Sequence, residues 1–274
     1  MSVRGYVQAT HPGPTAAVTT FTVALGLAVD LGWRTIPSTA AVLAGQLSVG
    51  WCNDYVDRHL DRRAGRHEKP LVRSVVSDRG LAIGMVVAAV ASMPLSLALG
   101  PLAGIAQLLG VACGWLYNLG LKRTPASPLP YLVAFALVPT SFVVLALPGD
   151  LWPRPTVVLA SGLLGVSAHF TNAIKDLDAD ALTGVHGLPQ RIGARWSGVA
   201  SGVLVVGGSV LLLGSAGALP AAAAVLAALG ALIALAYAAL LVGRRPVRRA
   251  FGLNVVAVGC LVAAVVTSGS HVVA

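Results

Sequence analysis

Apolar stretches of about 17 to 24 residues recur along the chain between short polar segments, close to the length a helix needs to cross about 30 Å of hydrocarbon. They predict spans near 16–33, 37–53, 80–98, 101–118, 129–148, 155–172, 196–214, 219–242 and 250–269. Several begin at a proline, among them Pro37, Pro101, Pro155 and Pro220, and proline suits the first turn of a helix. The expected fold is an all-α membrane protein, one domain over 1–274, with nine transmembrane helices in a single bundle. His11, Pro12, Gly13 and Pro14 precede the first span, without the basic start and apolar core of a cleavable signal. That first helix is expected to insert and stay.

Composition agrees. A chain of 274 residues with 56% hydrophobic and 11% charged residues is too apolar for an ordinary soluble domain. The three cysteines, Cys52, Cys113 and Cys260, lie in or at the end of apolar spans, with no C-x-x-C spacing. They read as packing residues. The net charge of +9 raises the question of nucleic acid, and its layout answers for a membrane instead. With nine spans, 17 of the 19 Lys and Arg fall on one side, leaving Arg34 and Arg154 opposite. The positive-inside rule then places the N-terminus in the cytosol, in a cell inner or plasma membrane. Eight of the ten acids follow the same side, all but Asp30 and Asp150. Lipid attraction explains clustered cations and leaves clustered carboxylates unexplained.

Those carboxylates sit in two polar segments. One runs Asn53-Asp54-Tyr55-Val56-Asp57-Arg58-His59-Leu60-Asp61 and on to Gly65 and Lys69-Pro70. The other runs Asn172-Ala173-Ile174-Lys175-Asp176-Leu177-Asp178-Ala179-Asp180 and on to Gly184 and Leu188-Pro189. A shift of 119 positions lays Asn53 on Asn172, Asp57 on Asp176, Asp61 on Asp180, Gly65 on Gly184 and Pro70 on Pro189. The coincidence indicates an internal repeat over about 16–127 and 129–242, two related four-helix halves with a ninth helix at 250–269. The two acidic segments should then face each other. On a helix Asp54, Asp57 and Asp61 share one face, as do Asn172, Asp176 and Asp180, while Asp178 projects elsewhere.

Either segment alone could be an ordinary salt-bridged surface. Two in register at membrane-edge helix ends argue for function, because acids are costly there. Five like charges together need a cation, and hard oxygen ligands suit Mg²⁺, which keeps waters and completes its shell with phosphate. Carboxylates on facing helices therefore imply a polyanionic ligand bridging two metal centres, with Lys69, Lys122 and Arg123 available to its free oxygens.

These residues resemble the UbiA superfamily of membrane prenyltransferases, whose signatures are N-D-x-x-D-x-x-x-D and D-x-x-x-D. Asn53 to Asp61 matches the first in full, and Asp176 to Asp180 matches the second. Tyr117-Asn118-Leu119-Gly120-Leu121-Lys122-Arg123-Thr124 is similar to the family's Tyr and Lys-Arg loop. The resemblance covers nearly the whole chain. It implies a prenyl diphosphate bound through Mg²⁺, with the isoprenoid passed to an acceptor, commonly aromatic, in a lipid-open cavity on the cytosolic side. Carried over by position, Asn53, Asp54, Asp57 and Asp61 hold one Mg²⁺ and Asp176 with Asp180 the other. Lys69, Lys122 and Arg123 grip diphosphate, with Asn53, Asn172 and Tyr117 beside them. Two positions depart from the pattern: Ala173 stands where many members have Asp, and His11-Pro12 where many have Arg-Pro. Second-site metal geometry or acceptor contact is expected to differ there.

Other single residues read more plainly. Tyr131 suits an interfacial anchor, and Tyr117 either an anchor or a substrate contact. Trp51, Trp115 and Trp196 suit interfacial anchors too. His169 suits a buried, hydrogen-bonded structural role over a cavity base. Asp30 and Arg34, spaced i, i+4, suit a local ion pair. Two rival functions remain. A terpene cyclase of the same superfamily needs only a closed apolar chamber. A cation transporter would explain repeats and membrane acids, but no acids on the opposite face complete a pathway.

Overall fold

In a computed structural model the structure describes residues 2–215, 219–243 and 247–274, and the side chains of 139, 178–179, 182–183 and 247–250 lie outside that description. The expectations for Asp178, Arg244, Arg245, Arg248 and Arg249 therefore fall outside the described residues. The described residues form helices joined by turns and loops, with no strand among them beyond an isolated bridge between Pro153 and Val273. A short α1 (Val3–Ala9) precedes α2 (Pro12–Ala28), α3 (Thr35–Arg63), α4 (Asp78–Leu97), α5 (Pro101–Leu119), α6 (Leu129–Phe135) and α7 (Phe142–Leu145). Then come α8 (Pro155–Thr183), α9 (Leu188–Leu213), α10 (Ala221–Val242) and α11 (Val247–Thr267).

Helices stand at each expected span. Five stretches, α4, α5, the Pro155–Leu177 part of α8, α9 and α10, are long and apolar enough to cross a membrane. The rest fall short for local reasons. The span expected over 16–33 ends at Ala28, and the chain turns through Asp30 at φ 54° and Gly32 at φ 61°. The span expected over 129–148 breaks at Val138, whose backbone is extended at φ −129°, ψ 131°. Val138 precedes a proline in the chain, and that position disfavours helical backbone.

The outward faces are apolar and exposed, with Ile83, Val86, Val87 and Val90 on α4 and Leu229, Leu232 and Leu235 on α10. Such a belt suits hydrocarbon and would be a liability in water. With the five apolar helices it makes the chain an integral membrane protein. Inside, Phe21, Leu25, Val42, Phe142, Val157, Leu164, Val205 and Leu261 belong to one buried cluster shared by helices from both ends of the chain. Helix α3 packs on α2, α4 and α5, and α8 on α6, α9 and α11. Contacts of α2 with α11 join the first helices to the last.

The two long helices position the site. Both α3 and α8 have 29 residues, and each carries its acidic segment in its C-terminal turns. Gly65 (φ 63°) and Gly184 (φ 69°), one repeat apart, both follow these helices in the left-handed conformation that glycine adopts without steric cost.

Candidate active site

A cavity of about 770 Å³ opens between α2, α3, α5, α6, α8 and α11. One end is charged: Asn53, Asp54, Asp57 and Asp61 face it from α3, Asn172, Asp176 and Asp180 from α8. Lys69, Tyr117 and Lys122 also line it. Arg123 stands just behind, with a guanidinium nitrogen 3.5 Å from Asp57 Oδ1. The sequence-predicted residues thus gather at one place, with both acidic segments on the same chamber. The remaining wall is largely apolar, including Val18, Phe21, Val111, Phe135, Leu164 and Val258, with Gln46, Gln107 and His169 among its polar members.

Each carboxylate of α3 has a cationic partner. Lys69 Nζ donates to Asp54 Oδ1 at 2.7 Å, and His11 Nε2 lies 3.0 Å from the same oxygen. Lys122 Nζ donates to Asp57 Oδ2. Arg66 donates to Asp61 Oδ1 at 3.2 Å. Asp54 and Asp61 are each only 2% exposed, so these partners are what makes their burial tolerable. On α8, Gln190 Nε2 donates to Asp180 Oδ2 at 2.6 Å. Burial pushes the Asp61 carboxyl above its ordinary value, against the pull of Lys69 and Arg66. Burial also raises Asp180, against the hydrogen bond from Gln190.

His11, Arg66, Gln190 and Asn118 are site residues that sequence reasoning did not assign. His11 reaches Asp54 because Gly50 lets the α1–α2 junction lie on α3: a Cβ there would meet Thr10 O at 2.6 Å. Asn118 Oδ1 accepts from Asn53 Nδ2 at 2.9 Å, and its own Nδ2 donates to Val49 O. Arg66 and Gln190 stand at unrelated places in the two repeats, so register gave no signal for them.

Several single-residue expectations need correction. Tyr131 is no lipid-edge anchor: it lines the chamber, its ring 5.1 Å from Tyr117 and 4.6 Å from His169 between centroids. The cause is that α6 starts against α8 inside the bundle. His169 is buried, as expected, with Nε2 3.1 Å from Ser127 Oγ, yet it also lines the chamber. Asp30 and Arg34 form no ion pair among the described residues; α2 ends at Ala28, before either of them, so they do not share a helical face, and Arg34 donates to Ala146 O at 2.7 Å. Trp51 packs edge-on against Tyr6 and donates Nε1–H to Tyr6 O. Trp115 donates to Ser48 Oγ, while Trp196 is exposed as expected of an interfacial residue. All three cysteines are free.

Among the described residues no three His, Cys, Asp or Glu groups are drawn together as a ready ligand set. The donors nevertheless fit a hard divalent cation, being carboxylate oxygens from two helices on one cavity. Asp57 Oδ1 is buried and accepts no hydrogen bond, with the Arg123 guanidinium 3.5 Å away, so it keeps a lone pair that a cation could take.

A helical membrane protein around a chamber charged at one end and largely apolar in its walls is the class that fold and site define. The chain belongs to the UbiA prenyltransferase family, whose sequence pattern matches residues 13–270. Among solved structures it is similar to one described for digeranylgeranylglyceryl phosphate synthase in membranes, at TM-score 0.75 and 16% identity, covering 98% of both chains. It is also similar to a UbiA homologue from Archaeoglobus fulgidus bound to DMAPP and Mg²⁺ (TM-score 0.73, 14% identity, 95% of this chain and 99% of that one). A third, an apo UbiA homologue from Aeropyrum pernix K1, superposes at TM-score 0.70 with 21% identity over 96% of this chain and 98% of that one. At these identities the likeness establishes the fold. No curated protein sequence matches the chain.

Proposed function

We propose that the chain is a Mg²⁺-dependent prenyltransferase that moves an isoprenoid from a prenyl diphosphate to a lipophilic, aromatic acceptor. The observation that carries this reading is one chamber that brings Asp54, Asp57, Asp61, Asp176 and Asp180 together with Lys69 and Lys122 and continues into a largely apolar wall. A prenyl diphosphate has the same two-part chemistry. The A. fulgidus homologue's binding of DMAPP and Mg²⁺ adds support.

In this reading Asn53, Asp54, Asp57 and Asp61 would hold one Mg²⁺, and Asp176 with Asp180 the second. When bound, Mg²⁺ supplies positive charge against the diphosphate as it leaves. Lys69, Lys122 and Arg123 contact phosphate oxygens, and Asn53, Asn172 and Tyr117 flank the head group. Lys69 and Lys122 stand ready there, paired with Asp54 and Asp57 at the head of the chamber. The allylic carbon–oxygen bond breaks with its electron pair going to diphosphate. The acceptor carbon supplies the pair for the new bond and loses its proton. The apolar walls exclude water from the cation, and the faces of Tyr117 and Tyr131 lie beside its path.

The same reading takes the bundle as nine spans in two related halves, one domain with the N-terminus and the site on the cytosolic side. The 119-residue register, its paired left-handed glycines and the one-sided cations support it.

The test is to incubate purified protein with Mg²⁺ and C10, C15 or C20 prenyl diphosphates, with and without aromatic acceptors, and to follow diphosphate release and products. Turnover only with acceptor, lost in Asp57→Ala, is the expected result. Cyclic hydrocarbons formed without acceptor would make the protein a terpene cyclase, and inertness toward every diphosphate would sink both readings.

A further inference from the structure

Below the carboxylates the chamber wall carries an imidazole, that of His169 on α8. Its ring is fixed on several sides. Nε2 lies 3.1 Å from Ser127 Oγ. Tyr131 packs across the ring at 4.6 Å between centroids, and Tyr117 stands edge-on to it at 5.6 Å. Ser127 is fully buried, and its Oγ already accepts the backbone N–H of Leu188 at 3.1 Å. Leu188 opens α9, so that N–H has no partner within its own helix and the serine supplies one.

A serine hydroxyl has a single proton, and a buried hydroxyl gives that proton to an acceptor. Among the described residues the acceptor that Ser127 Oγ meets is His169 Nε2. Nε2 therefore takes the hydroxyl proton, and the neutral ring carries its own proton on Nδ1. Nδ1 makes no hydrogen bond among the described residues, yet it is not sealed inside the protein, and the cavity that His169 borders is the chamber. Water satisfies such an N–H in an empty chamber. A prenyl tail has no atom that accepts, so covering the N–H with hydrocarbon leaves a hydrogen bond unmade. His169 lies one turn of α8 inward from Asn172 and about 10 Å along the helix from Asp176, well below phosphate held at the carboxylates. What remains to meet the N–H is an oxygen on the second substrate.

We propose that His169 Nδ1–H binds an oxygen of the acceptor, with the rings of Tyr117 and Tyr131 beside it, so that the acceptor is an aromatic ring bearing a hydroxyl or carbonyl oxygen. The proposal rests on the reading of the chamber as a prenyl-transfer site and gives that reaction its second subsite. His169 is the residue that touches the acceptor, and Ser127 fixes which of its nitrogens carries the proton.

The experiment measures binding of 2-naphthol, and of naphthalene, which lacks the oxygen, to the purified full chain in detergent. Partition into empty micelles is subtracted, and thermal unfolding is the folding check. Wild type is expected to bind 2-naphthol about 5-fold more tightly than naphthalene, the worth of one net hydrogen bond. Two variants separate ligand binding from packing. The asparagine amide stands where Nδ1 does, and the glutamine amide where Nε2 does. His169→Asn thus keeps a donor for the ligand and drops the Ser127 contact, while His169→Gln keeps that contact and drops the donor. The preference should persist within twofold in His169→Asn and vanish in His169→Gln. His169→Phe keeps a ring against Tyr131 without either nitrogen, should also lose the preference, and stands in if His169→Gln fails to fold. No preference in wild type, a preference unmoved in the Gln and Phe variants, or one kept by Gln and lost by Asn would each overturn the subsite. Turnover that needs an aromatic acceptor, without this preference, would leave the proposed function standing and remove the subsite. Oxygen-dependent binding by a chain inert to every prenyl diphosphate would do the opposite.

Discussion

Lys122 and Asp57 neutralise each other at the head of the chamber, with the lysine only 4% exposed. Removing one partner of such a pair leaves a buried charge uncompensated. Lys122→Met is therefore expected to lower the stability of the metal-free protein by about 3 kcal/mol. Mg²⁺ with inorganic diphosphate should recover part of that loss by supplying a replacement cation to Asp57. Thermal unfolding in detergent, with and without both additions, reads the effect; equal destabilisation in the two conditions would argue against a cation site at Asp57. Asp57→Asn keeps the shape and removes the charge, so it should fold and lose at least about 100-fold in turnover. At this scale much was legible. The Asp triplet of α3 and the Asn172, Asp176 and Asp180 series follow from helical spacing alone, and all of them line the chamber. The partners were not legible, because Arg66 and Gln190 reach their carboxylates through loop geometry that no period encodes. Tyr131 was misread for a related reason: a tyrosine at a helix start looks the same in sequence whether that start faces lipid or the neighbouring α8.

At the scale of elements, the contact between Gly50 of α3 and the backbone of Thr10 sets where α2 begins and holds His11 beside Asp54. Thr10 offers only backbone atoms at 2.6–2.9 Å from a Cβ at position 50, so the whole junction must shift to admit one. Gly50→Ala should thus be destabilising by at least about 1 kcal/mol, although alanine is the better helix former. Gly13→Ala, one turn away with nothing within 4 Å of its Cβ, should stay within about 0.5 kcal/mol of wild type. Matched melting temperatures for the two variants would mean that the α1–α2 junction is not held by this contact. Hydropathy located the helices because apolar length is a strong signal, and it overran the breaks at Ala28 and Val138 because those are made by backbone conformation inside apolar sequence. The 29-residue length of α3 and α8 was also hidden: each carries an apolar helix straight into a polar one, and a hydropathy window sees only the first part.

At the scale of the whole molecule, the chamber is a product of helices far apart in the chain, with α2, α3, α5, α6, α8 and α11 all contributing to its wall. The repeat register predicted that the two acidic segments would face each other, and those segments of α3 and α8 line one chamber. It was silent about Gln46 and Gln107, which line the same cavity from α3 and α5 and fall on Gly165 and Leu226 at the 119-residue shift. Charge makes a prediction about orientation in the bilayer. The segment between α3 and α4 holds Arg66, Lys69 and Arg73, whereas the turn between α7 and α8 has Arg154 and Asp150. If the site faces the cytosol, the positive-inside bias requires these two segments to lie on opposite sides. Replacing Cys52, Cys113 and Cys260 with alanine and placing one cysteine at His67 or at Gly149 converts that requirement into a labelling experiment. In intact cells a membrane-impermeant maleimide should modify Gly149→Cys and spare His67→Cys, and inverted vesicles should reverse the pattern. Labelling of both from one side would break the nine-span topology, because an odd number of crossings must separate the loop after α3 from the loop before α8. Labelling in the reversed sense would keep the topology and move the acidic head of the chamber to the outer face, where the cations of the α3–α4 segment would oppose the charge bias that orients membrane proteins.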